Sequence, residues 1–395
     1  MARQHTRPHS LRAVRVLCVG NMYPPHHLGG YELVWQGAVQ ALRVAGHGVR
    51  VLTTDVRFGD VDPAQDDDEE VFRELRWYWR DHRFPRVTPW ARRRLEHYNA
   101  QTLWRHLGDV GPDAVAWWSM GGMSLALIGQ AAQAGLRSAA FVHDDWLVYG
   151  PKVDPSARAR ARRGAAVDVG GVSRWVFVSE TTRRRAEEAA GPLGATEVAP
   201  SGIDPAYLDP APERDWGWEL LCVGRLDPRK GVDTAIQALA RLPDARLVLA
   251  GGGEAAYERK LRARVDELGL GDRVQLLGGV DRERLPALYA AADAVVFPVV
   301  WEEPWGLVPL EAMGRGRPVV ATGRGGSGEY LRDGDNCVLF EAGDADGLAG
   351  AVQRLAGDPG LRARLRDGGL ATAERHTAPR FEARVVTVLE DVAGG

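Results

Sequence analysis

Short apolar runs alternate with longer amphipathic stretches along nearly the whole chain, and this alternation starts twice. In the first half the apolar runs fall at 14–19, 49–53, 114–118, 139–142 and 175–178, with helical patterns at 31–45, 91–107 and 124–134 between them. After Pro210 the rhythm begins again, with runs at 220–223, 246–249, 274–277, 294–297 and 319–321. Helical patterns at 232–240, 256–268, 284–291 and 306–315 separate those. A strand buried on both faces reads as a continuous apolar run, and parallel strands need crossover helices. The pattern therefore predicts an α/β chain of two Rossmann-like, doubly wound domains. At 395 residues the chain has room for two such domains.

The Pro-, Asp- and Glu-rich stretch 204–216 is read as the linker. The expected division is a disordered tail at 1–10, a first domain at 11–205, a second at 206–376 and a final helix at 377–395. Segment 59–88 breaks the alternation with an acidic run (66–70) and an aromatic group, Trp77, Tyr78 and Trp79. It is read as a partly ordered insertion near the mouth of the ligand cleft. A net charge of −3 gives no general attraction to nucleic acid. No apolar run reaches the ~20 residues of a membrane-spanning helix, and the N-terminus lacks the apolar core of a signal peptide. Cys18, Cys222 and Cys337 are too few and too far apart for a disulfide framework or a zinc site. They read as buried thiols, and a cytoplasmic location is expected.

Four segments carry chemistry. In WEEPWGLVPLEAM (301–313), Glu303 follows a strand and Glu311 lies on the helix that Gly306 opens. The carboxyl end of a strand is where open α/β sheets bind ligands. There the free amides of Trp305, Gly306 and Leu307 suit an anion or a sugar hydroxyl, and a carboxylate farther along the helix suits a vicinal diol such as ribose. In CVGRLDPRKGVD (222–233), Arg225 and Lys230 flank a turn between a strand and a helix start, a cradle for a diphosphate. FVHDDWLVYG (141–150) puts His143 and Asp144 directly after a strand, and HHLGGYELV (26–34) puts Gly29 and Gly30 where backbone can approach a phosphate or sugar. A GxGxxG match at Gly323, Gly325 and Gly328 follows a late strand of the second domain, the wrong place for a dinucleotide fingerprint. It is read as a glycine loop lining the cleft beside Glu329. Arginine clusters at 92–94, 158–163 and 183–185 read first as solvated helix faces. The sharper alternative is a patch for weak peripheral contact with a membrane or an anionic acceptor.

Together these motifs resemble family 4 of the retaining glycosyltransferases, which have the GT-B fold of two facing domains. The resemblance spans nearly the whole chain. EPWGLVPLE looks like that family's E-x7-E motif, which implies that Glu311 holds the donor ribose and Glu303 faces the transferred sugar. GRLDPRKG is similar to its phosphate segment, implying that Arg225 and Lys230 hold the diphosphate. His143 falls where the family has a histidine on the donor sugar, and Gly29 and Gly30 match its N-terminal glycine loop. The last helix is expected to return to the first domain. The implied activity is transfer of a hexose or related sugar from a nucleotide-diphosphate-sugar to a hydroxyl of a natural product, glycan or lipid. Retention of configuration is implied, with no metal and no cofactor. A nucleotide-sugar 2-epimerase and a non-catalytic nucleotide-sugar sensor are the rival readings.

Overall fold

The computed structural model describes residues 12–58, 61, 66, 68–79, 84–85, 88–154 and 169–395. The tail at 1–10 and the arginines at 158–163 lie outside them. The chain forms two compact units. The first comprises Met1–Phe177, Arg183–Val198 and Glu382–Gly395, and the second Val178–Thr182 and Ala199–Phe381.

In the first unit the strands are β1 (Arg15–Val19), β2 (Gly48–Thr54), β3 (Val71–Leu75), β4 (Ala114–Trp117), β5 (Ser138–Val142), β6 (Arg174–Phe177) and β7 (Thr196–Val198). They pair in the order β3-β2-β1-β4-β5-β6-β7, every pair parallel. The helices among the described residues are α1 (Gly30–Val44), α2 (Pro89–Val110), α3 (Ala126–Gln133), α4 (Trp146–Val153) and α5 (Glu180–Ala190), whose residues through Thr182 belong to the second unit. The core is built from both strand faces and the helices over them, with Leu17, Leu52, Leu103, Trp117 and Phe177 fully buried.

The second unit repeats the plan with β8 (Glu219–Val223), β9 (Arg246–Ala250), β10 (Val274–Gly278), β11 (Ala294–Phe297), β12 (Val319–Ala321) and β13 (Val338–Leu339). Their order is β10-β9-β8-β11-β12-β13, again parallel throughout. The helices are α6 (Val232–Leu239), α7 (Ala255–Glu267), α8 (Leu285–Ala291), α9 (Leu307–Gly314), α10 (Ala345–Gly357), α11 (Pro359–Arg375) and the first residues of α12 (Ala378–Gly394). Side chains alternate across a strand. Leu220 and Cys222 therefore join one core with Ile236 and Leu247, and Leu221 joins the opposite core with Val295 and Leu310. In each sheet the strand order reverses beside the first strand of the unit, at β1/β4 and at β8/β11. Such switch points are where doubly wound sheets place ligands.

Three details differ from the sequence reading. Segment 59–88 contributes an edge strand, because β3 pairs in register with β2 (Val51 with Val71, Leu52 with Phe72). Of its aromatics, Trp77 and Tyr78 are buried: Trp77 stacks on Trp79 at 4.6 Å and donates its indole N–H to the Gly121 carbonyl at 2.7 Å. Asp66 and Asp68 of its acidic run meet Arg73 (2.7 Å) and Arg43 (2.6 Å). The stretch read as a linker packs into the second unit, where Tyr207 is buried in the turn Pro205–Leu208. The chain passes between units at Phe177/Val178, Thr182/Arg183 and Val198/Ala199 and within α12, whose residues from Glu382 onward belong to the first unit. The three cysteines are free and buried, and burial pushes each thiol up to about 12.

Candidate active site

At the end of β8, Gly224 adopts φ +133 and Arg225 follows it. Asp227 then caps a short turn, Pro228–Lys230, by accepting from the Arg229 amide at 2.9 Å. Gly231 closes the turn at φ +68, and a Cβ there would sit 1.9 Å from the Pro298 carbonyl oxygen. The Val300 amide donates to the Arg229 carbonyl at 2.9 Å. The turn is thus clamped to the segment leaving β11, the strand next to β8. Asp227 is the counter-ion of this basic turn: it binds the Arg229 guanidinium at 2.8 and 2.9 Å and lies 3.4 Å from Arg225. Burial works to raise its carboxyl, but these partners hold it at about 2.

Glu303, 8% exposed, lies in the loop after β11. Its Oε2 accepts from Lys230 Nζ at 2.7 Å and from the Trp301 indole N–H at 2.8 Å. Its backbone is held by the glycine loop, since the Gly326 amide donates to the Glu303 carbonyl at 2.7 Å. A Cβ on Gly325 (φ +69) would lie 2.5 Å from the Glu303 nitrogen, and one on Gly326 would lie 2.0 Å from the Pro304 carbonyl oxygen. The GxGxxG spacing therefore serves close packing of chain on chain. Glu329, beside it, accepts from the Glu180 and Thr181 amides at 3.0 and 2.7 Å.

Gly306, at φ +86, caps α9. The first amides of that helix have no intrahelical carbonyl to bond. Leu307 is half-buried, and Trp305 is packed inward with its indole N–H on the Ser201 carbonyl at 2.9 Å. Glu311 is buried on the same helix, accepting from the Tyr289 hydroxyl at 2.7 Å with Arg282 at 3.8 Å. Burial raises its carboxyl above the usual range, against the opposing pull of Tyr289 and Arg282. The fold thus gathers Arg225, Lys230 and Glu303 around Asp227 and Trp301, while Glu311 keeps partners of its own.

Gly29, Gly30 and His143 belong to the first unit. Gly29 caps α1, its amide donating to Glu32 Oε2 at 3.1 Å, and both glycines are exposed. His143 follows β5, with Tyr31 at 5.5 Å and Trp118 at 5.8 Å from its ring. Burial pushes it down to about 3, only partly opposed by the Phe141 backbone, so the ring is neutral at physiological pH. Asp144 is engaged by Tyr149 (3.0 Å) and Ser119 (3.3 Å), and burial lifts it to about 6 in spite of them.

Sequence reasoning missed Asp227, Trp301 and Tyr289. The first two stand inside motifs that were singled out. Tyr289 lies 22 residues from Glu311 and gave no signal. The arginine clusters are partly occupied by the protein itself. Arg94 covers the Trp90 ring at 4.8 Å, Arg183 pairs with Glu187 at 2.9 Å, and Arg185 meets Asp145 at 3.1 Å. Among the described residues no helix is long and apolar enough to cross a membrane.

Two parallel, doubly wound sheets, one in each unit, are the GT-B architecture. Residues 28–207 match the family model for Glycosyltransferase Family 4, and residues 210–371 match the model for Glycosyl transferases group 1. The chain belongs to glycosyltransferase family 4. It is 32% identical to a GDP-mannose-dependent alpha-(1-6)-phosphatidylinositol monomannoside mannosyltransferase of Mycolicibacterium smegmatis, over 74% of this chain and 76% of the relative. It is 30% identical to a glycogen synthase of Mycobacterium tuberculosis, over 88% and 87%. Among solved structures, the sucrose-phosphate synthase of Thermosynechococcus elongatus superposes with a TM-score of 0.74 at 20% identity, covering 95% of this chain and 98% of that one. These likenesses support glycosyl transfer over the epimerase reading.

Proposed function

We propose that the chain transfers a hexose from a nucleotide-diphosphate-sugar to a hydroxyl acceptor, with retention of configuration and without a metal ion or cofactor. The observation that carries the reading is the clamped turn that sets Lys230 against Glu303 with Arg225 alongside. Arg225, Lys230 and the first amides of α9, those of Trp305, Gly306 and Leu307, receive the diphosphate. Charge grows on its leaving oxygen in the transition state, and fixed cations stabilise it there without reorganisation. Glu303 accepts a hydroxyl of the transferred sugar, and Glu311 accepts the ribose hydroxyls. Gly29 and Gly30 leave open backbone for the donor or acceptor. The bond between the anomeric carbon and the phosphate oxygen breaks as the acceptor oxygen bonds to the same face. The acceptor proton passes to the departing phosphate.

His143 contacts the donor sugar as a neutral hydrogen-bonding group. Held near 3, its ring is too weak a base to take a proton from an alcohol, which favours this role over that of an inverting base. The mannosyltransferase relative makes GDP-mannose the first donor to try and a glycan or lipid acceptor the first class to screen. Weak membrane contact through the arginine-bearing faces fits a lipid acceptor.

The test is the anomeric coupling constant of the product, read by proton NMR in chelator-treated buffer. A retained configuration is expected. An inverted product overturns the mechanism and makes His143 the base. Activity lost in chelator and restored by magnesium or manganese overturns the metal-free reading.

A further inference from the structure

We infer that Trp301 is a positioning residue, holding one oxygen of Glu303 so that the other is presented to the transferred sugar and Lys230 is released to serve the diphosphate. The inference rests on the site reading above. Both donors to Glu303 converge on a single oxygen, Oε2: Lys230 Nζ at 2.7 Å and the Trp301 indole N–H at 2.8 Å. A carboxylate fixed through one oxygen has the other set in direction, and an ionised carboxylate has acceptor capacity to spare. The two donors are not equivalent. Lys230 is a flexible ammonium whose charge a diphosphate also attracts, whereas the indole N–H is rigid, neutral and has nothing to offer an anion elsewhere.

Trp301 is itself anchored from the basic turn. The Arg229 guanidinium lies 4.5 Å from its ring centre and the Lys230 ammonium 5.8 Å. Arg229 is locked in turn by two bonds to Asp227. The adjoining backbone is fixed as well, since the amide of Val300 bonds the Arg229 carbonyl. The indole therefore relays the position of the phosphate turn to the sugar-facing carboxylate. When a donor's phosphate draws Lys230 toward itself, Trp301 keeps Glu303 from following.

The indole is half-buried, so Trp301→Phe keeps an aromatic ring beside Arg229 while removing the N–H together with the pyrrole half of the indole, and the Glu303→Gln background below separates the lost hydrogen bond from the lost packing. Donor turnover is read as release of GDP from GDP-mannose and of UDP from UDP-glucose, and affinity for GDP and UDP by calorimetry. Trp301→Phe is expected to lower kcat about tenfold while the Kd for the bare nucleoside diphosphate changes less than twofold. The preference for GDP-mannose over GDP-glucose, or UDP-glucose over UDP-galactose, should narrow as Glu303 loses its direction. In a Glu303→Gln background the same substitution should change kcat less than twofold. A tenfold effect of Trp301→Phe that persists in Glu303→Gln overturns the inference, because the indole then acts through something else. A matching loss of GDP or UDP affinity also overturns it, assigning the ring to the phosphate cations instead. Should Glu303→Gln alone leave turnover intact, the Glu303 assignment falls, and the positioning role falls with it.

Discussion

Replacing Gly231 with alanine tests whether the basic turn Pro228–Lys230 is held by backbone geometry rather than by its charges. Gly231 has φ +68, a left-handed conformation that costs an L-residue with a Cβ roughly 1–2 kcal/mol. Strain is the smaller part. The new Cβ would lie 1.9 Å from the Pro298 carbonyl oxygen, where real contacts stay above 3.0 Å, so turn or strand exit must move by more than 1 Å. Overpacking of this kind costs about 1–3 kcal/mol. Together the two terms come to about 3 kcal/mol, or a melting temperature lower by roughly 6–12 °C for a unit of this size. Gly269→Ala is the control, since Gly269 has φ +64 with nothing within 4 Å of the added carbon. It pays the strain alone, roughly 2–8 °C by the same scaling. Calorimetric melting of both variants separates the terms. The displaced turn carries Arg225 and Lys230, and a shift of this size costs about 100-fold in turnover. Gly269→Ala should turn over donor normally. A Gly231→Ala protein that melts with Gly269→Ala, or keeps wild-type turnover, refutes the clamp.

Arg225→Ala or Lys230→Ala should each cut donor turnover by about 100-fold, the scale of removing one transition-state charge partner; near-normal rates in both would remove the phosphate assignment. Glu311→Ala should weaken binding of the bare nucleoside diphosphate in calorimetry while Glu303→Ala mainly slows transfer, and the reverse order of affinities would exchange their roles. Asp144 has its folded pKa lifted from 3.8 to about 6, so the stability it contributes is fully present below pH 3.8 and is lost as pH rises through 6. Asp144→Asn should therefore gain on the wild type in melting temperature between pH 4 and 6 and hold a constant offset above that. A pH-independent offset across the range would show that the carboxyl is not shifted.

The second unit was the more legible because its central strands are buried on both faces. LLCVG and AVVFP read as continuous apolar runs, so Arg225, Lys230 and Glu303 could each be placed at the end of a strand, and the folded sheet sets those two strands side by side. The edge strand β3 was lost for the opposite reason. An edge needs little burial, so VFREL carries Arg73 and Glu74 in its run and broke the expected pattern. Short outer strands such as β7 and β13 offer two or three residues and no periodicity at all. Within the site, residue types were readable where spacing along one element sets position, as for Glu311 on α9. Partners were not readable where only folding brings them close: Tyr289 reaches Glu311 from another helix, and the shared use of one Glu303 oxygen depends on side-chain torsions.

The glycine loop at 323–328 shows where such reading stops. Its three glycines signal that something approaches the backbone too closely for a Cβ, and that inference is sound. The sequence is silent on what approaches. A pyrophosphate, a sugar ring and a second stretch of chain make the same demand on side-chain volume. Here the claimant is the backbone of Glu303 and Pro304, against which Gly325 and Gly326 lie closer than any side chain permits. The loop therefore acts at one remove, by fixing the peptide that carries Glu303, the carboxylate proposed to meet the sugar. A larger residue at Gly325 should displace Glu303 before it touches any ligand.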